Sequence, residues 1–106
     1  IFTVYASKRY IFATMDDFFQ LGFRTETIRR VSNNVTTLPG LSFGGLHLAN
    51  GRLYKVSNNV NQIYRVNGST SQYVNSINYP GLPYSKLITV DTTTAARYPV
   101  AGTYTP

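Results

Sequence analysis

The sequence predicts an all-β chain built from antiparallel four-stranded units, and three observations carry that expectation. The residue mix is rich in aromatic and turn-forming types, with nine Tyr, six Phe and nine Asn, while Glu, Met and other helix formers are scarce. Alternating polar and apolar runs of strand length are separated by Asn-Gly and Ser-Asn-Asn turn signals. Short strings also recur at long, similar intervals, as tandem β-units would require.

The recurrence sets the element boundaries. Pro39-Gly40-Leu41 returns as Pro80-Gly81-Leu82, and Ala6-Ser7-Lys8-Arg9-Tyr10 is matched by Ala49-Asn50-Gly51-Arg52-Leu53. A degraded third copy is Ala96-Arg97-Tyr98. These agreements divide the chain into a first repeat over 1–40, a second over 41–82 and a partial third over 83–106. The string Val-Ser-Asn-Asn-Val, at 31–35 and 56–60, falls outside that period and reads as two turns using the same residues.

The second repeat is the most regular. Phe43 to Leu48 reads as its first strand, and Asn50-Gly51 is the strongest two-residue hairpin signal. Arg52 to Val56 alternates as a half-buried strand should, and Ser57-Asn58-Asn59 turns the chain. Gln62 to Val66 makes a third strand, Asn67-Gly68 a second hairpin turn, and Gln72 to Ile77 a fourth strand. In the first repeat, Phe2 to Tyr5, Arg9 to Ala13, Phe18 to Phe23 and Thr27 to Val31 take the same places. Met15 to Leu21 has a competing reading as a short helical turn, because Asp16 and Asp17 suit a helix N-terminus. The partial repeat supplies Lys86 to Val90 and Arg97 to Val100.

Four short strands in about 42 residues is the pattern of a propeller blade. Leu46 to Val66, reading LHLANGRLYKVSNNVNQIYRV, resembles blade repeats of the NHL and YVTN kind. The resemblance implies an incomplete β-propeller of two and a half blades, where closed rings typically need roughly four to eight. A β-sandwich or an extended β-assembly is the alternative. An open stack leaves strand edges uncovered, so self-assembly or a larger multi-chain complex is expected.

Composition excludes several functions. The 106 residues carry 10 Lys+Arg against 4 Asp+Glu, for a net charge of +6, yet only 13% are charged. With 42% hydrophobic residues the chain is not a disordered tail. No apolar run approaches the roughly 18–20 residues that span a bilayer. There is no Cys, so neither a disulfide framework nor a thiolate metal site is available, and the single His47 argues against a His-rich zinc site. No basic-then-apolar leader precedes Ile1, as expected of a processed chain or an excised piece.

Catalytic chemistry is thin. Asp16 and Asp17 are adjacent and, on a strand, would point to opposite faces, so they read as solvated turn residues. His47, between Leu46 and Leu48, reads as a satisfied structural histidine. No nucleophile triad, phosphate loop or metal motif is present, so no catalytic residue, metal or cofactor is expected.

The basic residues carry the binding expectation. Arg9, Arg52 and Arg97 recur with the repeat, interleaved with Tyr10, Tyr54 and Tyr98. Blades related by rotation would set them at one level, as a ring able to hold a glycan, a polyanion or an acidic protein surface. The competing reading is that these arginines cap strand edges and keep them soluble. No recognition helix or stacking motif accompanies the charge, which argues against nucleic acid. The sequons Asn34-Val35-Thr36 and Asn67-Gly68-Ser69 fall in expected turns and suit an extracellular or surface-exposed setting. The chain thus reads as a non-catalytic binding or scaffolding module, or else as a structural subunit of an extracellular, fibrous or virion assembly.

Overall fold

Two small mixed sheets and two short helices make up the computed structural model, which describes residues 2–5, 8–27 and 42–106. Strand accounts for 45% and helix for 18% of the described residues, so the chain is mostly β.

The first sheet has the order β1-β2-β3. Strands β1 (Phe2–Tyr5) and β2 (Lys8–Phe12) form an antiparallel pair, Phe2 facing Ile11 and Tyr5 facing Lys8. Strand β3 (Ser42–His47) lies parallel to β2, with Phe12 opposite His47. The register slips between Arg9 and Tyr10, which face Phe43 and Gly45 and leave Gly44 as a bulge. Glycine is required at both positions. A Cβ on Gly44 would enter the Tyr10 ring, and Gly45 has φ +116 with the Arg97 Cδ only 2.7 Å from where a Cβ would sit.

Where a strand was expected over Phe18 to Phe23, the chain forms helix α1 (Met15–Gln20). The competing helical reading is the one observed, and its cause is local. Thr14 is extended and its Oγ1 accepts from the Asp17 amide at 3.2 Å, capping the first turn. At the far end Gly22, at φ +90, donates to the Phe19 carbonyl while Phe23 N donates to the Phe18 carbonyl, the Schellman pattern. The apolar run that imitates a strand instead wraps one aromatic cluster. Phe18 meets Phe12 edge-on at 5.2 Å and Phe23 in a stack at 5.7 Å, which docks α1 on β2. A 3-10 turn (Thr25–Thr27) ends at the residue where the next strand was expected to start, and the rest of that strand lies outside the described residues.

The second sheet has the order β7-β4-β5-β6-β8. Its centre is an antiparallel meander of β4 (Leu53–Val56), β5 (Asn59–Asn67) and β6 (Thr70–Val74), close to the expected strands. Gly68 turns β5 into β6 at φ +66. The edges are parallel: β7 (Ile88–Val90) beside β4, and β8 (Val100–Thr103) beside β6. An all-antiparallel four-stranded unit is therefore not what forms. The Asn50-Gly51 turn does form, closed by Arg52 N to the Ala49 carbonyl at 3.1 Å. It passes the chain from one sheet to the other and makes no hairpin, because β3 pairs with β2. Both sheets share one arrangement instead: a hairpin whose second strand takes a third strand in parallel, β1-β2-β3 and β5-β6-β8.

Strand alternation gives the second sheet two buried faces. One packs Tyr54, Val56, Val66 and Val90 against Leu48 and Tyr98. The other packs Leu53, Ile63 and Val74 under Tyr79, Leu82, Tyr84, Leu87 and Tyr104, which come from the connection after β6 and from the C-terminal segment. Each such large side chain contributes roughly 1.5–3 kcal/mol on burial. Helix α2 (Thr92–Ala96) is capped by Asp91, whose carboxylate accepts from Thr94 N at 2.9 Å. It rests on β3, where the buried Thr94 Oγ1 accepts from Leu46 N at 3.0 Å. No helix among the described residues is long and apolar enough to cross a membrane.

Candidate functional site

The six residues expected to form a ring occupy three different environments. Arg9 lies on β2, Arg52 just before β4, and Arg97 at the C-terminal cap of α2, where a strand was expected to begin. The shared motif thus maps to unlike local structures. Tyr54 is a core residue, stacked on Tyr64 at 5.2 Å, and burial pushes its hydroxyl pKa up.

Arg97, Tyr10 and Tyr98 do meet. The Arg97 guanidinium lies 4.4 Å over the Tyr10 ring and 5.6 Å from Tyr98, and Nη1 donates to the Leu46 carbonyl at 2.5 Å. His47 completes this cluster. Its Nδ1 faces Arg97 Nη1 at 3.5 Å and its Nε2 faces Thr3 Oγ1 at 2.7 Å. Burial first, and then the Arg97 charge, push the imidazole down to about 4. Neutral at physiological pH, His47 accepts from Arg97 and donates to Thr3, and its ring packs 4.6 Å from Phe12. The cluster's polar groups are directed at one another, joining β1, β3 and α2.

Arg52 is buried and holds the floor of a different feature. Its Nε and Nη2 both bond the Asp17 carboxylate, at 3.1 and 2.5 Å, and Nη1 donates to the Lys86 carbonyl at 2.8 Å. Asp17 is fully buried and also accepts from Ala49 N at 2.8 Å and from the Thr14 hydroxyl at 2.6 Å. Burial raises the Asp17 pKa, but the bonds from Arg52, Thr14 and Ala49 outweigh it and hold the carboxyl below its ordinary value. Asp17 is thus no solvated turn residue, although its neighbour Asp16 does reach solvent.

Comparison with protein-family models, with curated proteins and with solved structures finds no match. The chemistry of the site therefore rests on its own residues.

Above the Arg52–Asp17 floor opens a cleft of about 240 Å³ between α1, the Ala49–Arg52 turn and the segment from Gly81 to Lys86. Asp16, Gln20, Asn50, Arg65 and Lys86 supply its polar rim, and Leu82 and Pro83 give it one apolar wall. Lys86 Nζ bonds Asp16 Oδ2 at 3.1 Å across the mouth, and that bond and charge hold the Asp16 carboxyl below its ordinary value. Gln20 Nε2 donates to the same oxygen at 3.1 Å. Arg65 comes from β5, bonded to Gln72 at 3.1 Å and lying 5.4 Å over the Tyr104 ring. No carboxylate among the described residues pairs with it. Asn50 accepts from Gly68 N at 3.1 Å, which ties the two Asn-Gly turns together at the cleft edge.

Sequence reasoning missed Arg65, Lys86, Gln20 and Asn50 as a group, because they come from four separate segments. The Asn50-Gly51 turn was visible as a turn but not as a cleft wall. Among the described residues there is no cluster of three or more His, Asp or Glu able to hold a metal ion.

Proposed function

We propose that this chain is a non-catalytic binding module that recognises its ligand through the cleft over the Arg52–Asp17 pair. The observation that carries the reading is the division of labour in that cleft. Its two innermost charged groups satisfy each other, so the floor is fixed and neutral overall. Its rim presents donors and acceptors from Asp16, Gln20, Asn50, Arg65 and Lys86. Proton-transfer chemistry calls for a titratable group poised near neutral pH. Both cleft carboxyls are shifted the other way, deeper into their charged form. Such a site binds.

The volume lies below the roughly 300–1,000 Å³ of pockets that enclose drug-sized ligands. The cleft therefore suits one ring or one side chain of a larger partner. The exposed Asn67-Gly68-Ser69 turn supports an extracellular or surface-exposed setting. Backbone amide shifts on titration with a panel of neutral and acidic oligosaccharides and acidic peptides test the reading. Movement confined to residues 49–52 and 81–86 is expected; a panel that leaves them all unmoved rejects it.

A structural role in a β-assembly is the second reading, and propeller-like repeats belong with it. It is favoured by half-exposed apolar side chains on and beside α1, Phe19, Leu21 and Phe23, and by strand β8 at a sheet edge, whose four residues are all exposed. The antiparallel β4–β6 meander supports β-units of this kind. Sedimentation separates the two readings, since a scaffold forms concentration-dependent polymers and a binding module does not.

A further inference from the structure

We infer that the cleft takes a uronate-type sugar, a single pyranose ring bearing a carboxylate, with Arg65 as the anchor for its negative charge. This rests on the binding-module reading and names the ligand class for the same site.

The charge balance comes first. The lining holds three cations, Arg52, Arg65 and Lys86, against two carboxylates, Asp16 and Asp17. Arg52 is spent on Asp17 and Lys86 on Asp16, leaving Arg65 without an acidic partner among the described residues. Its guanidinium is already oriented. Nη1 is held by Gln72, the plane lies over Tyr104, and Nη2 approaches Gly51, whose Cβ would sit 3.9 Å away. A fork fixed on one side and open on the other matches a carboxylate geometrically. Lys86 adds a second cation that keeps donors to spare beyond Asp16.

The open acceptors decide between a sugar and an acidic side chain. Both bonds to Asp16 use Oδ2, which leaves Oδ1 able to accept. Gln20 spends its amide nitrogen on Asp16 and keeps its carbonyl oxygen. Asn50 spends its carbonyl oxygen on Gly68 and keeps its amide nitrogen. The rim thus offers two acceptors together with several donors. An ionised Asp or Glu side chain only accepts, so it would leave those acceptors unmet. A uronate ring supplies hydroxyl donors for Asp16 and Gln20, a hydroxyl acceptor for Asn50 and a carboxylate for Arg65. Its C–H face meets Leu82 and Pro83.

The test compares methyl glucuronide with methyl glucoside, the same ring with and without the carboxylate, by amide-shift titration of the intact chain. Methyl glucuronide is expected to bind about tenfold more tightly, as a charge-assisted pair predicts. Arg65→Gln should bring the two affinities together and so remove that preference, with Arg65→Lys intermediate. Equal affinity for the two sugars in the unsubstituted chain overturns the inference and needs no variant to fold. A preference that survives Arg65→Gln also overturns it. N-acetyl-glutamate amide binding the cleft as tightly as methyl glucuronide overturns the sugar assignment while the binding-module reading stands. That reading fails only if no ligand of the wider panel moves the cleft residues.

Discussion

Asp17, on a six-residue helix, and Arg52, 35 positions later, form a two-pronged ion pair that joins the two halves of the molecule. The helix belongs to the side of the first sheet and Arg52 leads into the second. Every partner of the pair extends the link: Thr14 caps the helix, Ala49 opens the inter-sheet turn, and the Lys86 carbonyl belongs to the covering segment. Burying two charges is costly, and the geometry here offsets that cost with hydrogen bonds on both partners. The result is a fully paired floor beneath an open cleft.

Removing one partner should be severe. Asp17→Asn leaves the buried guanidinium without its counter-charge, and such losses run to about 3–5 kcal/mol. Against a total stability of roughly 5–15 kcal/mol this is a large fraction. Urea denaturation of Asp17→Asn should show the midpoint falling sharply with an unchanged slope. A loss under about 1 kcal/mol would mean that the pair is not formed in solution.

Acid should act through the same carboxyl. Asp17 has its pKa lowered in the folded state, so its stabilising effect is fully present above the unfolded value of about 3.9. That effect is lost as the pH falls through the folded value. Urea midpoints measured from pH 7 downward should therefore decline below about pH 4. In Asp17→Asn the decline should be shallower, because the group responsible no longer titrates.

His47 titrates in a different window. Its folded pKa of about 4 lies below the ordinary 6.5, so the unfolded chain binds the extra proton first. Stability from this residue is complete above about pH 6.5 and declines towards pH 4, flattening below. His47→Phe should abolish that slope. In the unsubstituted chain the imidazole resonances should stay at their neutral positions until the pH approaches 4. A midpoint near 6.5 would show that the imidazole is not buried beside Arg97 in solution.

Turns and the central meander were legible in the sequence because they are local. Asn67-Gly68 closes the β5–β6 hairpin where its residue types demand a positive φ, and strands β4 and β5 show the expected alternation. Helix α1 was half legible. Asp16 and Asp17 suit its N-terminus, but Phe18, Phe19 and Phe23 mimic a strand. The parallel pairings of β2 with β3 and β4 with β7 were not legible, since nothing local in a strand names a partner more than 30 residues away. For the same reason Arg52 looked like a surface residue: its burial depends on Asp17, which no repeat brings near it.

The double glycine of β3 should tolerate no side chain. Gly45→Ala combines a left-handed φ with a contact on Arg97, and the backbone Cα of Thr94 lies 3.3 Å away on the same side. Arg97 would have to leave the Tyr10 ring, releasing the cation–π contact and the bond to the Leu46 carbonyl. The expected loss is about 2 kcal/mol, within the range for strained backbone positions. Thermal melts of Gly45→Ala and of Gly68→Ala separate the two contributions. Gly68 also has positive φ but open space around it, so its loss should be smaller.

The sharpest prediction sets two arginines of the same cleft against each other. Arg52 is buried against a carboxylate, whereas Arg65 is only half-buried, bonded to neutral Gln72 and lying over the Tyr104 ring. Arg52→Gln should destabilise the chain by about 3 kcal/mol or more, because Asp17 is then the unpaired buried charge. Arg65→Gln gives up a cation–π contact worth about 0.5–1 kcal/mol and keeps a hydrogen-bonding amide, so its melt should barely move. Ligand binding should respond in the opposite order. A titration at a temperature where both variants are folded should show Arg65→Gln losing the preference for the acidic sugar. Arg52→Gln, wherever it remains folded, should keep part of that preference, because its guanidinium faces Asp17 and not the ligand. If Arg65→Gln instead unfolds as readily as Arg52→Gln, Arg65 is a framework residue, and the cleft's charge serves packing alone.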